Sequence, residues 1–92
     1  MKVNFYATLR QIVGGKTVEF DLPAGATVQD LINEMIRCFP ALQRELLNEH
    51  GEMYSHVHLF VNGRDATFLE NGLATRLDPE DVIGIFPAVG GG

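Results

Sequence analysis

A single apolar stripe at helical spacing constrains this chain most. Val28, Leu31, Ile32, Met35 and Phe39 fall on one face of a helix, while Gln29, Asp30, Asn33, Glu34 and Arg37 take the other. Thr27 stands where an N-cap belongs, and Asp30 three residues later is an acidic variant of the capping box. Pro40 stops the run, since proline has no N–H to donate and its ring clashes with the preceding turn. The other main apolar patterns are short and alternate with period two. One amphipathic helix cannot bury its stripe alone, so the alternating runs must supply a sheet for it to lie on.

Those runs come in a definite order. Lys2 to Leu9 directs Val3, Phe5, Ala7 and Leu9 one way, and Lys2, Asn4, Tyr6 and Thr8 the other. Arg10 to Lys16 reads as a loop or short helical turn closed by Gly14-Gly15. A second strand follows, with Val18, Phe20 and Leu22 inward, and Pro23-Ala24-Gly25 ends it with turn chemistry. The two strands form an antiparallel hairpin. Beyond the helix, Ala41 to Leu47 reads as one or two more helical turns and Asn48 to Glu52 as a polar loop. His56 to Asn62 is a third strand, with Val57, Leu59 and Val61 on its core face. Asn62-Gly63 predicts a type I′ hairpin turn, because both central residues of that turn need positive φ. A short return over Arg64 to Phe68 follows, then a turn at Glu70-Asn71-Gly72, with Leu73 and Leu77 closing the end of the core. Asp78-Pro79-Glu80-Asp81 turns the chain into the last strand, Val82 to Phe86.

A hairpin, a helix and then three strands over one helix-covered face make an α+β, two-layer design. It is the order of the β-grasp, or ubiquitin-like, fold: a mixed five-stranded sheet packed on one main helix. Residues 1–86 are expected to form this domain, and residues 87–92 a flexible C-terminal diglycine tail. Ninety-two residues leave no room for a second core.

Composition excludes several classes of function. A net charge of −5 argues against a nucleic-acid backbone as partner, which needs clustered Lys and Arg. No apolar run approaches membrane-spanning length, and the N-terminus has no secretory h-region, so no membrane partner is expected. The single cysteine, Cys38, excludes an internal disulfide and fits a reducing, cytoplasmic setting.

Candidate chemistry within the domain is sparse. Gly14-Gly15-Lys16-Thr17 resembles the end of a phosphate-binding loop, but Arg10 stands where the first glycine belongs and a strand follows instead of a helix. His56 and His58, two apart on one strand, lack a third ligand at a sensible spacing, so no metal site is expected. Cys38 is not expected to be a nucleophile, since the sequence is read as supplying no base or cationic setting to lower its pKa. The chain is therefore not expected to be an enzyme on its own. What stands out is the ending, Pro87-Ala88-Val89-Gly90-Gly91-Gly92. Glycines contribute nothing to a core and lose more freedom on ordering than any other residue, so stability does not require them. Alternation also puts Tyr6, Phe60 and Phe86 on the sheet face away from the helix, where first, third and last strands would gather them.

Several stretches together resemble the MoaD/ThiS superfamily of ubiquitin-like sulfur carriers. They are Phe5-Tyr6-Ala7-Thr8-Leu9-Arg10, Thr27-Val28-Gln29-Asp30-Leu31, Val61-Asn62-Gly63 and Gly72-Leu73-Ala74-Thr75, with Asp81 through Gly92 the most specific. The resemblance implies a carrier whose terminal glycine, Gly92, is adenylated by a ubiquitin-activating-type enzyme and converted to a thiocarboxylate. Gly90 and Gly91 belong to the tail that presents it, and Gly91-Gly92, lacking Cβ atoms, would thread the partner's channel. A carboxylate is a poor electrophile, so it must become a mixed anhydride first, and ATP and the sulfur donor must come through the partner. No cofactor bound by the chain itself is expected. The leading expectation is sulfur transfer in molybdopterin biosynthesis, docking on the large subunit of molybdopterin synthase. The alternatives are sulfur delivery to a cysteine synthase, or a protein modifier joined to lysines. Tyr6, Phe60, Phe86, Pro87 and Val89 are the expected partner-binding residues. Ala88 resembles the cysteine-synthesis carriers, and the long Ala41–His56 segment resembles both those and the modifiers.

Overall fold

The computed structural model describes residues Met1 to Pro87; Ala88 to Gly92, and with them most of the expected flexible tail, lie outside the described residues. Five strands form one mixed sheet: β1 (Lys2–Phe5), β2 (Thr17–Glu19), β3 (His58–Val61), β4 (Arg64–Asp65) and β5 (Ile83–Phe86). Their spatial order is β2-β1-β5-β3-β4. β1 and β5 run parallel at the centre, with Val3 opposite Ile83 and Phe5 opposite Ile85. The other pairings, β1 with β2, β3 with β4 and β3 with β5, are antiparallel. A parallel pair cannot be joined by a hairpin, so the intervening chain must cross one face of the sheet. That crossover carries α2 (Val28–Cys38) and α3 (Leu42–Leu46). This is the β-grasp architecture expected from the order of elements.

α2 begins where the sequence says it should. Thr27 Oγ1 accepts from the N–H of Asp30 at 3.1 Å, and Asp30 Oδ2 accepts from the N–H of Thr27 at 2.9 Å. Each side chain satisfies a backbone donor that the first helical turn leaves open. The helix ends at Cys38, ahead of Pro40, and its stripe Val28, Leu31, Ile32 and Met35 is fully buried. Against it lie Val3 and Phe5 of β1, Leu59 and Val61 of β3, and Ile83 and Ile85 of β5. Leu42 and Leu46 of α3 extend the same core, and Leu77 closes one end of it.

Three local expectations are corrected. The first strand stops at Phe5 rather than Leu9, and Ala7, expected inward, is exposed with φ +53°. The chain turns at that point into a short helix, α1 (Leu9–Val13), started by bonds from the N–H groups of Leu9, Arg10 and Gln11 to the carbonyls of Tyr6, Ala7 and Thr8. Leu9 is buried, but from a helix rather than from the strand. The third strand starts at His58, so His56 lies in a turn closed by the Val57 N–H on the Tyr54 carbonyl, and the two histidines do not share a strand face. The return after Asn62-Gly63 holds only two strand residues before a 3₁₀ turn at Ala66–Phe68.

The hairpin turn is built as its residues require: φ is +53° at Asn62 and +83° at Gly63. Asn62 also ties two turns together. Its Nδ2 donates to Asp81 Oδ1 at 2.9 Å, its Oδ1 accepts from the N–H of Val82 at 2.9 Å, and Asp81 Oδ2 accepts from the N–H of Asp78 at 2.8 Å. The entry to β5 is thereby fixed from the β3–β4 turn. Asn62→Ala should cost about 2 kcal/mol, from two lost hydrogen bonds and a methyl side chain forced to positive φ. Asn62→Gly should cost about half as much, because only the hydrogen bonds are lost. Urea unfolding of both variants checks this; equal losses would mean that the backbone conformation contributes nothing.

Candidate functional site

On the sheet face opposite α2, aromatic side chains from three adjacent strands meet. Tyr6 follows β1, Phe86 ends β5, and Phe60 stands on β3 with Gly84 as its cross-strand partner. The Tyr6 and Phe86 rings stack with centroids 4.0 Å apart and planes within 6°. Phe60 meets Phe86 edge-on at 5.4 Å and 86°. The parallel register makes this meeting, since pairing Phe5 with Ile85 leaves the next residues, Tyr6 and Phe86, side by side on the other face. Arg10 secures the Tyr6 end: its Nε donates to the Phe5 carbonyl at 2.8 Å, and its guanidinium carbon lies 5.4 Å from the centre of the Tyr6 ring.

All three rings stay half-buried, so each keeps surface exposed to water. Gly84 leaves the middle of β5 bare, and a Cβ there would stand 3.4 Å from Tyr6 and 3.7 Å from Phe86. The bare strand floors a shallow groove of about 290 Å³ lined by Asn4, Tyr6, Phe60, Val82 and Phe86. Val82, at the groove's edge, is 57% exposed. A contiguous apolar surface of this kind usually marks an interaction site.

The expected partner-binding residues are thus distributed unequally. Tyr6, Phe60 and Phe86 come together. Pro87 is buried, while Val89, Gly90, Gly91 and Gly92 lie outside the described residues. Four lining residues were missed: Asn4 and Gly63, and, towards the last strand, Val82, read only as a strand residue, and Gly84. The alternation that singled out Phe60 and Phe86 also puts Val82 and Gly84 on the outer face, so for them the signal was present.

The remaining candidates stay apart. Gly14, with φ +80°, ends α1 and donates to the Arg10 carbonyl, and β2 follows, so Gly14-Gly15-Lys16-Thr17 is a helix-ending turn. The His56 ring stacks on Tyr54 at 4.9 Å, whereas His58 Nδ1 lies 3.0 Å from Asp65 Oδ2. Among the described residues no cluster of three or more His, Cys, Asp or Glu has a metal-binding arrangement. Cys38 is exposed, with Sγ 3.6 Å from Glu34 Oε2 and 3.7 Å from the Arg37 guanidinium, so the expectation of no cation beside it is corrected, although Arg37 is itself paired with Glu34. Burial opposes the charge on Asp65, but donation from the hydroxyl and N–H of Thr67 and from His58 outweighs it and holds the carboxyl below its ordinary value.

Two expected outcomes follow from this geometry. Ile85→Ala, on the core face, should cost about 2–5 kcal/mol, whereas Phe86→Ala and Tyr6→Ala should each cost about 1 kcal/mol, the worth of an aromatic pair. Chemical denaturation distinguishes the two faces. Because the folded pKa of Asp65 is lowered, its stabilisation is present above the unfolded pKa and is lost as pH falls through the folded value. Asp65→Asn should therefore flatten the stability profile below about pH 4. Thermal melts across that range test it.

Comparison with known proteins agrees with the fold and extends the reading. The model of the ThiS family matches residues 3–92. Small archaeal modifier protein 3 of Haloferax volcanii is 36% identical over 92 residues, all of this chain and 98% of the relative. The crystal structure of SAMP1 from the same organism superposes with a TM-score of 0.87 at 30% identity, covering 99% of this chain and 97% of that one. A chain of the BexX/CysO complex of Amycolatopsis orientalis gives 0.80 at 30% identity, covering 99% and 98%. No helix among the described residues is long and apolar enough to cross a membrane. The chain belongs to the ThiS family, within the ThiS/MoaD superfamily of ubiquitin-like sulfur carriers and modifiers, which are not enzymes and bind no cofactor themselves.

Proposed function

We propose that this chain is a modifier of the small archaeal type, activated at the carboxylate of Gly92 by an adenylating enzyme that docks on the Tyr6–Phe60–Phe86 face. The observation that carries the docking half is the stacked Tyr6–Phe86 pair, held half-exposed at the end of the strand that leads into the glycines. Similarity over the full chain to a named modifier supports the modifier half. In the activation step a Gly92 carboxylate oxygen attacks the α-phosphorus of ATP and pyrophosphate leaves. A lysine amine of a target protein then attacks the carbonyl, and AMP leaves as the isopeptide bond forms. The unpaired, exposed Cys38 and the need for ATP are consistent with a cytoplasmic setting.

A second reading keeps the same activation but lets a sulfur donor take the place of the amine, giving a thiocarboxylate. The likeness to a chain of the BexX/CysO complex favours it, with delivery to a cysteine synthase as one destination. The expected role in molybdopterin synthesis has less support than either, since two named relatives that match over the whole length are modifiers.

With the activating enzyme, ATP and cell extract, digests should contain lysines bearing a glycine remnant, and loss of Gly91 and Gly92 should abolish them. If intact mass shows only the exchange of one oxygen for sulfur at Gly92, with no conjugates, the sulfur-carrier reading replaces the modifier. If neither product forms, activation at Gly92 is wrong. Phe86→Ala and Tyr6→Ala should each weaken binding to the activating enzyme by about 1–2 kcal/mol, the range of an aromatic hot spot. Isothermal titration measures this, and unchanged affinity in both variants would place docking elsewhere.

A further inference from the structure

The aromatic face has a polar corner. His58 shares the outer face of β3 with Phe60 and stands opposite Phe86 on β5. Its ring centroid is 6.3 Å from that of Phe60, and its side chain is 46% exposed. Nδ1 lies 3.0 Å from Asp65 Oδ2. Asp65 is itself held in place: its Oδ1 accepts from Thr67 Oγ1 at 2.7 Å and from the Thr67 N–H at 2.9 Å. Among the described residues Nε2 has no hydrogen-bond partner.

An ionised carboxylate only accepts, so Nδ1 carries the proton in this pair, and in the neutral ring Nε2 is then the acceptor. With the His58 ring 46% exposed, solvent screens this pair and its contribution to stability is small. What it does fix is the direction and the tautomer of one exposed ring beside the groove.

We propose that His58 is a specificity-determining residue of the docking face, its Nε2 accepting a hydrogen bond from an N–H or O–H of the activating enzyme, with Asp65 as the positioning residue. The inference rests on the outer sheet face being the surface that this enzyme reads. Apolar contact with Tyr6, Phe60 and Phe86 supplies area without direction. A fixed acceptor at the rim rejects partners that would leave it buried and unpaired. An enzyme with an apolar anchor and one donor beside it matches the whole corner.

The test is ATP–pyrophosphate exchange with the activating enzyme, varying the concentration of this chain. His58→Phe should raise KM about ten-fold with kcat unchanged, the loss of one well-placed hydrogen bond. His58→Gln, whose amide oxygen can still accept, should recover part of that loss. Asp65→Asn should raise KM less and add nothing in the His58→Phe background. The ¹⁵N shifts of the His58 ring should report the Nδ1–H tautomer in the parent chain and a mixture in Asp65→Asn. If His58→Phe leaves KM unchanged while Phe86→Ala raises it, the role of His58 is overturned and the docking face stands. If neither variant changes KM, the docking face and the role of His58 fall together. An Nε2–H tautomer in the parent chain would also overturn the assignment.

Discussion

The parallel pairing of β1 with β5 is the constraint on which the rest depends. It joins strands from the two ends of the domain, so the chain between them must at some point cross one face of the sheet. α2 makes that crossing and buries Val28, Leu31, Ile32 and Met35 against Val3, Phe5, Ile83 and Ile85. The same register puts Tyr6 and Phe86 next to each other on the opposite face. Core and outer face are thus two consequences of one alignment. A one-residue slip would turn Ile83 and Ile85 outward and Phe86 inward, losing both together.

Around that centre, the smaller interactions hold the outer face in place. Asn62 bridges to Asp81 and Val82 and fixes the entry to β5, and Arg10 ties the end of β1 to the Tyr6 ring. Each acts where a strand begins or ends, where the ladder alone sets direction least well. Among the described residues no cluster of three or more His, Cys, Asp or Glu has a metal-binding arrangement. The chain's proposed part in the chemistry is to be recognised and to present Gly92.

Much of this was legible in the sequence because the signals were local. The capping box at Thr27 and Asp30, the stripe of α2 and the positive-φ demand of Asn62-Gly63 each depend on a few neighbouring residues, and each appears as expected. Period-two alternation was enough to put Tyr6, Phe60 and Phe86 on one face. It failed past Phe5, where Ala7 and Leu9 still alternate in sequence but the backbone turns at Ala7 into α1. Apolar alternation over so short a stretch cannot distinguish the end of a strand from the start of a helix. The His58–Asp65 pair was illegible for a different reason: it spans a turn and a strand edge, and Asp65 is held by Thr67 two residues on. Side-chain pairs of that kind leave no periodic trace.

The central functional claim is that partners read the outer sheet face and not the helix. Backbone amide chemical-shift mapping of the ¹⁵N-labelled chain during titration with its activating enzyme tests this most directly. The largest perturbations should fall on Tyr6, His58, Phe60, Gly84 and Phe86, with the exposed side of α2 at Asn33, Glu34 and Arg37 unmoved. Perturbations concentrated on that side of α2, with the aromatic strands silent, would contradict it.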